Sequence, residues 1–138
     1  MQADILALLR RLQRESGMAV LLVTHDWGVV ADICSHVAVM YAGQVVERAS
    51  AEEAFGAAAH PYTAALMASS PENAPRRAPI HAVAGSVPPP GSRFDGCRFK
   101  DRCALSESDC AGHDIPLIRV NEERVSRCIH TELLQAQP

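Results

Sequence analysis

The sequence predicts an α/β fold that runs into a proline-rich linker and ends in a small cysteine-rich extension. Three observations predict it. An amphipathic stretch is followed by the unbroken apolar run Met18 to Val23, the pattern of a strand covered on both faces. Six of the nine prolines then fall between Pro71 and Pro90, which forbids a regular helix or a central strand there. Four of the five cysteines come last, Cys97, Cys103, Cys110 and Cys128, spaced C-x5-C-x6-C-x17-C.

The elements follow in order. Residues 2–16 read as a helix, with Ile5, Leu8, Leu9 and Leu12 at helical spacing and Gly17 as its stop. Val20 to Val23 reads as a buried strand of a parallel sheet, ending at Thr24-His25-Asp26. Asp26 can cap a short helix over Trp27 to Cys34. His36 to Tyr41 and Gln44 to Arg48 form a hairpin about the turn Ala42-Gly43. Ser50-x-x-Glu53 is a capping box for a helix through Phe55, and Pro61 fits the first turn of another through Ala68. The linker is expected to be extended, partly polyproline II. Residues 94–130 hold few large apolar side chains, too few for a core without a staple, since units below ~40 residues usually need one.

Composition excludes several classes. The 138 residues carry a net charge of −3, so no global charge recruits nucleic acid or an anionic membrane. Aromatics are only 4%, too few for a base-stacking platform. No uncharged apolar run approaches the ~18–20 residues of a membrane span, and the first residues lack the basic start of a signal peptide. A cytoplasmic chain is therefore expected.

Two places could carry chemistry. His25 sits at the carboxyl end of the predicted parallel strand, where open α/β sheets bind ligands. An imidazole there can hydrogen-bond a phosphate or an attacking water. On pattern alone, a capping or loop histidine with no ligand is the commoner reading. The four late cysteines suit a soft metal or an iron–sulfur cluster. Arg93, Arg98, Lys100 and Arg102 lie near them in sequence and are expected to favour thiolates. Zinc is the first rival, although a tight C-x2–4-C knuckle is missing. Disulfides are disfavoured by the compartment, and free thiols are the plainest alternative. Cys34 is expected to pack as a small buried residue, and His113 and His130 to lie at the surface rather than act as ligands.

The stretch from Met18 through Val23-Thr24-His25-Asp26 to Val37-Ala38-Val39-Met40-Tyr41-Ala42-Gly43-Gln44-Val45-Val46-Glu47 resembles the end of an ABC-transporter ATPase domain, a P-loop NTPase-like fold. Trp27 stands where the family pattern has leucine. His60-Pro61-Tyr62-Thr63-Ala64-Ala65-Leu66 is similar to the H-P-Y-T-x-x-L of the dipeptide/oligopeptide (peptide/nickel) importer branch. Gly85-Ser86-Val87-Pro88, Gly96-Cys97-Arg98-Phe99 and Arg102-Cys103 are similar to that branch's C-terminal extension. The resemblance implies residues 1–70 as the C-terminal part of the ATPase domain, 71–93 as the linker and 94–138 as the extension. It implies His25 as the switch histidine that contacts the γ-phosphate of ATP, and Cys97, Cys103, Cys110 and Cys128 as ligands of a [4Fe–4S] cluster, with zinc as the alternative. It implies ATP with Mg for the full-length subunit. The implied partners are a second ABC ATPase subunit, transmembrane permease subunits and, indirectly, a peptide-binding protein, at the cytoplasmic face of the membrane.

The phosphate loop G-x-x-x-x-G-K-[ST], the D-E-P segment, the glutamine loop and the LSGGQ signature do not occur in the 138 residues. The chain is thus expected to be the C-terminal portion of such a subunit, inactive as an ATPase alone. A stand-alone metal-binding or regulatory module, or a non-functional remnant, is the competing reading.

Overall fold

The computed structural model describes residues 2–70 and 83–132. The chain forms two compact units, Met1–Cys34 and Ser35–Pro138.

The first unit opens with helix α1, Gln2–Ser16. It ends where expected. Gly17 takes φ +67°, a conformation that costs glycine little, and its N–H returns to the Gln13 carbonyl at 2.9 Å. The apolar stripe is there, but Ile5, Leu8 and Leu12 are exposed. The expected buried strand over Met18–Val23 is not. These residues form no strand, and Leu21 and Val23 are 94% and 92% exposed. A β-strand exists only through a neighbour that takes its N–H and C=O groups. Among the described residues no strand pairs with this segment, so its apolar run alone does not make it one. Helix α2, Trp27–Ile33, follows, with Asp26 as its N-cap accepting from the Val29 N–H at 3.2 Å.

The second unit is built on strands β1, His36–Tyr41, and β2, Gln44–Ser50. Ala42 and Gly43 both take positive φ, 47° and 78°, which gives the hairpin turn the twist its strands require. The pairing slips by one residue between Val39 and Met40, so Val46 is the extra residue of a β-bulge. Helix α3, Ala51–Gly56, starts from the predicted capping box of Ser50 and Glu53. Helix α4, Pro61–Ser69, starts from His60, with Pro61 in its first turn.

The expected parallel sheet is replaced by an antiparallel one. Two short strands from the cysteine-rich end, β3, Ile118–Arg119, and β4, Val125–Ser126, complete a four-stranded sheet in the order β1-β2-β4-β3. The polyproline expectation over 71–82 lies outside the described residues. Residues 83–93 contain neither helix nor strand, and the Val83 and Ala84 carbonyls accept from the Arg102 guanidinium.

An ion pair fixes the junction of β2 and β4. Glu47 on β2 is fully buried and Arg124, one residue ahead of β4, nearly so. Arg124 donates through Nε and Nη2 to Glu47 Oε1, and through Nη2 to the Ala57 carbonyl. The Ala59 N–H also donates to Glu47 Oε1, at 3.0 Å. Removing one partner leaves the other charge buried without compensation. Arg124→Ala is therefore expected to cost ~3–5 kcal/mol in urea unfolding, and the double replacement Glu47→Met with Arg124→Leu to cost far less. A single-variant loss below about 1 kcal/mol, the scale of an exposed pair, would show that the pair is not the junction's main tie.

Candidate functional site

The cysteine-rich end places its thiols by short turns rather than long elements. Cys97 precedes the 3-10 turn Lys100–Arg102, Cys103 follows it, and Cys110 ends the turn Ser108–Cys110. Gly96 lets the first and third cysteines approach. It has φ +89°, and a Cβ on it would stand 2.2 Å from the Cys110 carbonyl oxygen. Only glycine fits, and the Cys97 N–H then reaches that carbonyl at 2.8 Å. Cys128 follows β4 directly behind Arg127. Arg127 is itself pinned to the bulge: its N–H donates to the Val46 carbonyl at 2.8 Å and its Nε to the Val45 carbonyl at 2.9 Å.

All four predicted cysteines line one small cavity, together with His60, Phe99, Ile115 and His130. They are free thiols, and Cys110 and Cys128 are buried. Backbone N–H groups two residues on point at three of the sulfurs: Phe99 at Cys97, Leu105 at Cys103 (3.4 Å) and His130 at Cys128 (3.3 Å). A neutral thiol is a weak acceptor, whereas a metal-bound thiolate uses such bonds well. Among the described residues, however, no three His, Cys, Asp or Glu side chains are arranged to hold a metal ion. One zinc ion would need the sulfurs drawn to about 2.3 Å from a single point. A cluster has larger demands on volume but binds one thiolate per iron, so its ligands stand around a body rather than a point.

The expected help from local cations is slight, and Lys100 gives it to Cys97. Burial pushes the Cys97, Cys103 and Cys128 thiols up, Cys128 to about 11, with backbone hydrogen bonds opposing it. Lys100 acts on Cys97 only as the smallest influence, and its Nζ is engaged by the Asp95 carbonyl. Arg98 donates to the Ala42 carbonyl and lies over the Phe94 ring, while Arg102 serves Val83, Ala84 and the Tyr41 hydroxyl. Arg98 and Arg102 thus tie loops together. Cys34 is half-buried, which raises its thiol too.

His113 is exposed, as expected. His130 is not the surface residue the sequence suggested: its side chain is 13% exposed and its Nε2 lies 3.9 Å from the Cys110 sulfur. The signal was present as Cys128-Ile129-His130, since a histidine two residues past a cysteine can present both its backbone and its ring to sulfur. His60 gains a second meaning as well. It caps α4 through Nδ1, which accepts from the Tyr62 N–H at 3.1 Å, and it is buried against the extension. Its ring stands 6.1 Å from Phe99, which also meets Tyr41 at 5.2 Å and Tyr62 at 5.3 Å. The H-P-Y stretch and the Cys97-Arg98-Phe99 stretch thus pack into one aromatic cluster.

His25 lies apart in sequence and belongs to the first unit. It is exposed and sits at a bend immediately before the N-cap of α2. Its neighbours Thr24 and Asp26 are joined by a bond from the Asp26 N–H to Thr24 Oγ1 at 3.0 Å.

Residues 46–110 match the family model described as the oligopeptide/dipeptide transporter, C-terminal region. That segment is therefore similar to the C-terminal region of such transporter proteins. The match begins within β2 and ends at Cys110, so it spans both partners of the aromatic cluster and three of the four cysteines. Over 98% of its length the chain is 41% identical to proteins of Brucella ovis and Brucella abortus named as peptide import ATP-binding proteins. A second Brucella abortus protein with the same kind of name is 37% identical over 92% of the chain. The chain spans 42% of the length of the first two relatives and 38% of the third.

Within the matched segment, His60 makes stability depend on pH. Burial lowers its pKa from 6.5 to about 4, against a smaller opposing hydrogen bond that the ring donates to the Arg127 backbone carbonyl. Between those values the unfolded chain binds a proton that the folded chain refuses. Stability is therefore full above about pH 6.5 and falls as pH drops toward 4, by about 3 kcal/mol in all. Urea titrations at pH 7 and pH 4.5 should show a larger loss for the wild type than for His60→Asn, which keeps a cap acceptor. Equal losses would remove His60 as the source.

Proposed function

We propose that the chain serves within the ATP-binding subunit of an ABC importer for dipeptides or oligopeptides, with the cysteine-rich end as an iron–sulfur module of that subunit. The likeness to peptide import ATP-binding proteins along nearly the whole chain carries this reading. In it, residues 1–70 complete the ATPase domain, 71–93 link, and 94–138 form the extension. His25 contributes the imidazole that meets the γ-phosphate of Mg-bound ATP. Its exposure ahead of a capped helix leaves the ring free to donate to an oxyanion where charge develops. The subunit pairs with a second ATPase subunit and with membrane-spanning permease subunits at the cytoplasmic face, and with a peptide-binding protein through them. No nucleic acid is involved. No helix among the described residues is long and apolar enough to cross a membrane, so attachment runs through the permeases.

Cys97, Cys103, Cys110 and Cys128 hold the [4Fe–4S] cluster. Support comes from their shared cavity and from the N–H groups already aimed at three of the sulfurs. Burial that disfavours the free thiolates is offset when iron takes the place of the protons. A cluster would supply a redox centre or a structural staple to the extension, and zinc is the alternative occupant. The compact unit Ser35–Pro138 also favours a second reading, a metal-binding module able to fold without the rest of an ATPase.

Two measurements test the proposal. In a complete subunit, His25→Ala should lower ATP hydrolysis by about 100-fold or more, with ATP affinity changed less. Unchanged turnover would remove His25 from the mechanism. The 138-residue chain itself should not hydrolyse ATP, since it contains no glycine-rich lysine loop to cradle phosphates.

For the cluster, anaerobic purification of the chain should give a brown protein. Replacing any one of the four cysteines by serine should bleach it, and Cys34→Ser should not. A colourless protein with about one zinc per chain would move the site to zinc.

A further inference from the structure

His130 addresses two of the four sulfurs. Its backbone N–H points at the Cys128 sulfur at 3.3 Å, and its ring Nε2 lies 3.9 Å from the Cys110 sulfur. The other sulfurs, Cys97 and Cys103, receive backbone donors from the residues two positions on. Cys110 is thus the cysteine whose sulfur is met by a side chain. That side chain is held in place, since the ring is mostly buried beside the cavity that the cysteines line. Glu107 Oε2 stands 4.0 Å from the same nitrogen, but it is 65% exposed and water screens its charge. Sulfur is the buried acceptor.

We propose that His130 is a positioning and tuning residue of the cysteine centre: its Nε2–H donates to the Cys110 sulfur while its backbone N–H donates to that of Cys128. The inference rests on the iron–sulfur reading above. Hydrogen bonds to cluster sulfurs draw electron density from the thiolates and favour the more negative, reduced state, so they raise the reduction potential. They also hold the ligand in place, and loss of such an outer partner typically costs ~10–100-fold in metal retention. His130 would do both, and would couple the ligand after β4 to the ligand of the turn Ser108–Cys110.

The test uses the whole 138-residue chain, purified anaerobically and loaded with iron and sulfide, as wild type, His130→Ala and His130→Gln. The glutamine amide can return an N–H near the place of Nε2. Two quantities are read: the reduction potential of the cluster, and the rate at which a chelator bleaches it. His130→Ala should have a lower potential than wild type and bleach about 10-fold faster, and His130→Gln should recover most of both. The metal-free variants should melt with the metal-free wild type, which separates tuning from misfolding. A brown His130→Ala protein with the potential and bleaching rate of wild type overturns the role of His130 and leaves the cluster reading intact. Equal losses in His130→Ala and His130→Gln overturn the N–H donation in favour of ring packing. A wild-type chain that takes up no iron and sulfide overturns both readings together.

Discussion

The buried pair of Glu47 and Arg124 is the constraint on which the second unit depends. A charge inside a protein must be paired and hydrogen-bonded or it unfolds its surroundings. Here Glu47 Oε1 gathers the Arg124 guanidinium and the Ala59 N–H, and Arg124 also reaches the Ala57 carbonyl. Three pieces of chain that are distant in sequence thereby share one atom: β2, the connection between α3 and α4, and the approach to β4. Ser126 adds a bond from Oγ to the Ala59 carbonyl at 2.7 Å, fully buried. Two residues of β4 pairing with β2 would hold little by themselves, because a two-residue ladder is marginal in water. The polar knot gives that short strand its register.

The cysteine cavity inherits its geometry from this knot. β4 delivers Arg127 onto the bulge at Val46, and Cys128 is the next residue. From the other side, Phe99 is locked among Tyr41, Tyr62 and His60, and it lies two residues from Cys97. Gly96 then fixes Cys97 against Cys110 by an approach that admits no side chain. The four cysteines therefore hang from three anchors, and two of these belong to the segment before the linker. The extension is not a separate bead on a tether but a partner that completes the sheet and core of residues 35–70. This answers the expectation that its own apolar residues were too few: it borrows a core.

Local signals in the sequence were legible where short-range chemistry decides. The Gly17 stop, the Asp26 cap, the Ser50–Glu53 capping box and Pro61 each act within four residues, and each appears where its pattern placed it. The parallel strand at Val20–Val23 failed because strand formation is a property of pairs, and an apolar run names no partner. β3 and β4 were missed for the related reason that two-residue strands carry no periodicity. The pairing of Glu47 with Arg124 was not legible, since nothing in a linear pattern says that residues 77 positions apart will meet. The cysteines were found by count and spacing, which suffice for convergence on one site. Arg98 and Arg102 went to other acceptors than expected, because closeness in sequence does not say which acceptor a long side chain will choose.

The two chemical sites differ in what they need. The second unit pairs Glu47 with Arg124 and builds its bulge and sheet from within residues 35–132, so the cysteine cavity is formed by what the chain itself supplies. The first unit leaves Ile5, Leu8, Leu21 and Val23 in water. Burying a Leu or Val side chain is worth roughly 1.5–3 kcal/mol, so these residues are a standing drive toward an apolar surface. His25 lies two residues beyond Val23, on the same extended segment. Any surface that ordered that segment would also fix the imidazole, and without one the ring has no fixed target. The setting of His25 thus depends on a surface that orders its segment, whereas the cysteine cavity depends only on the local fold. A change that abolishes one can leave the other whole, and the two can be examined separately in the same chain.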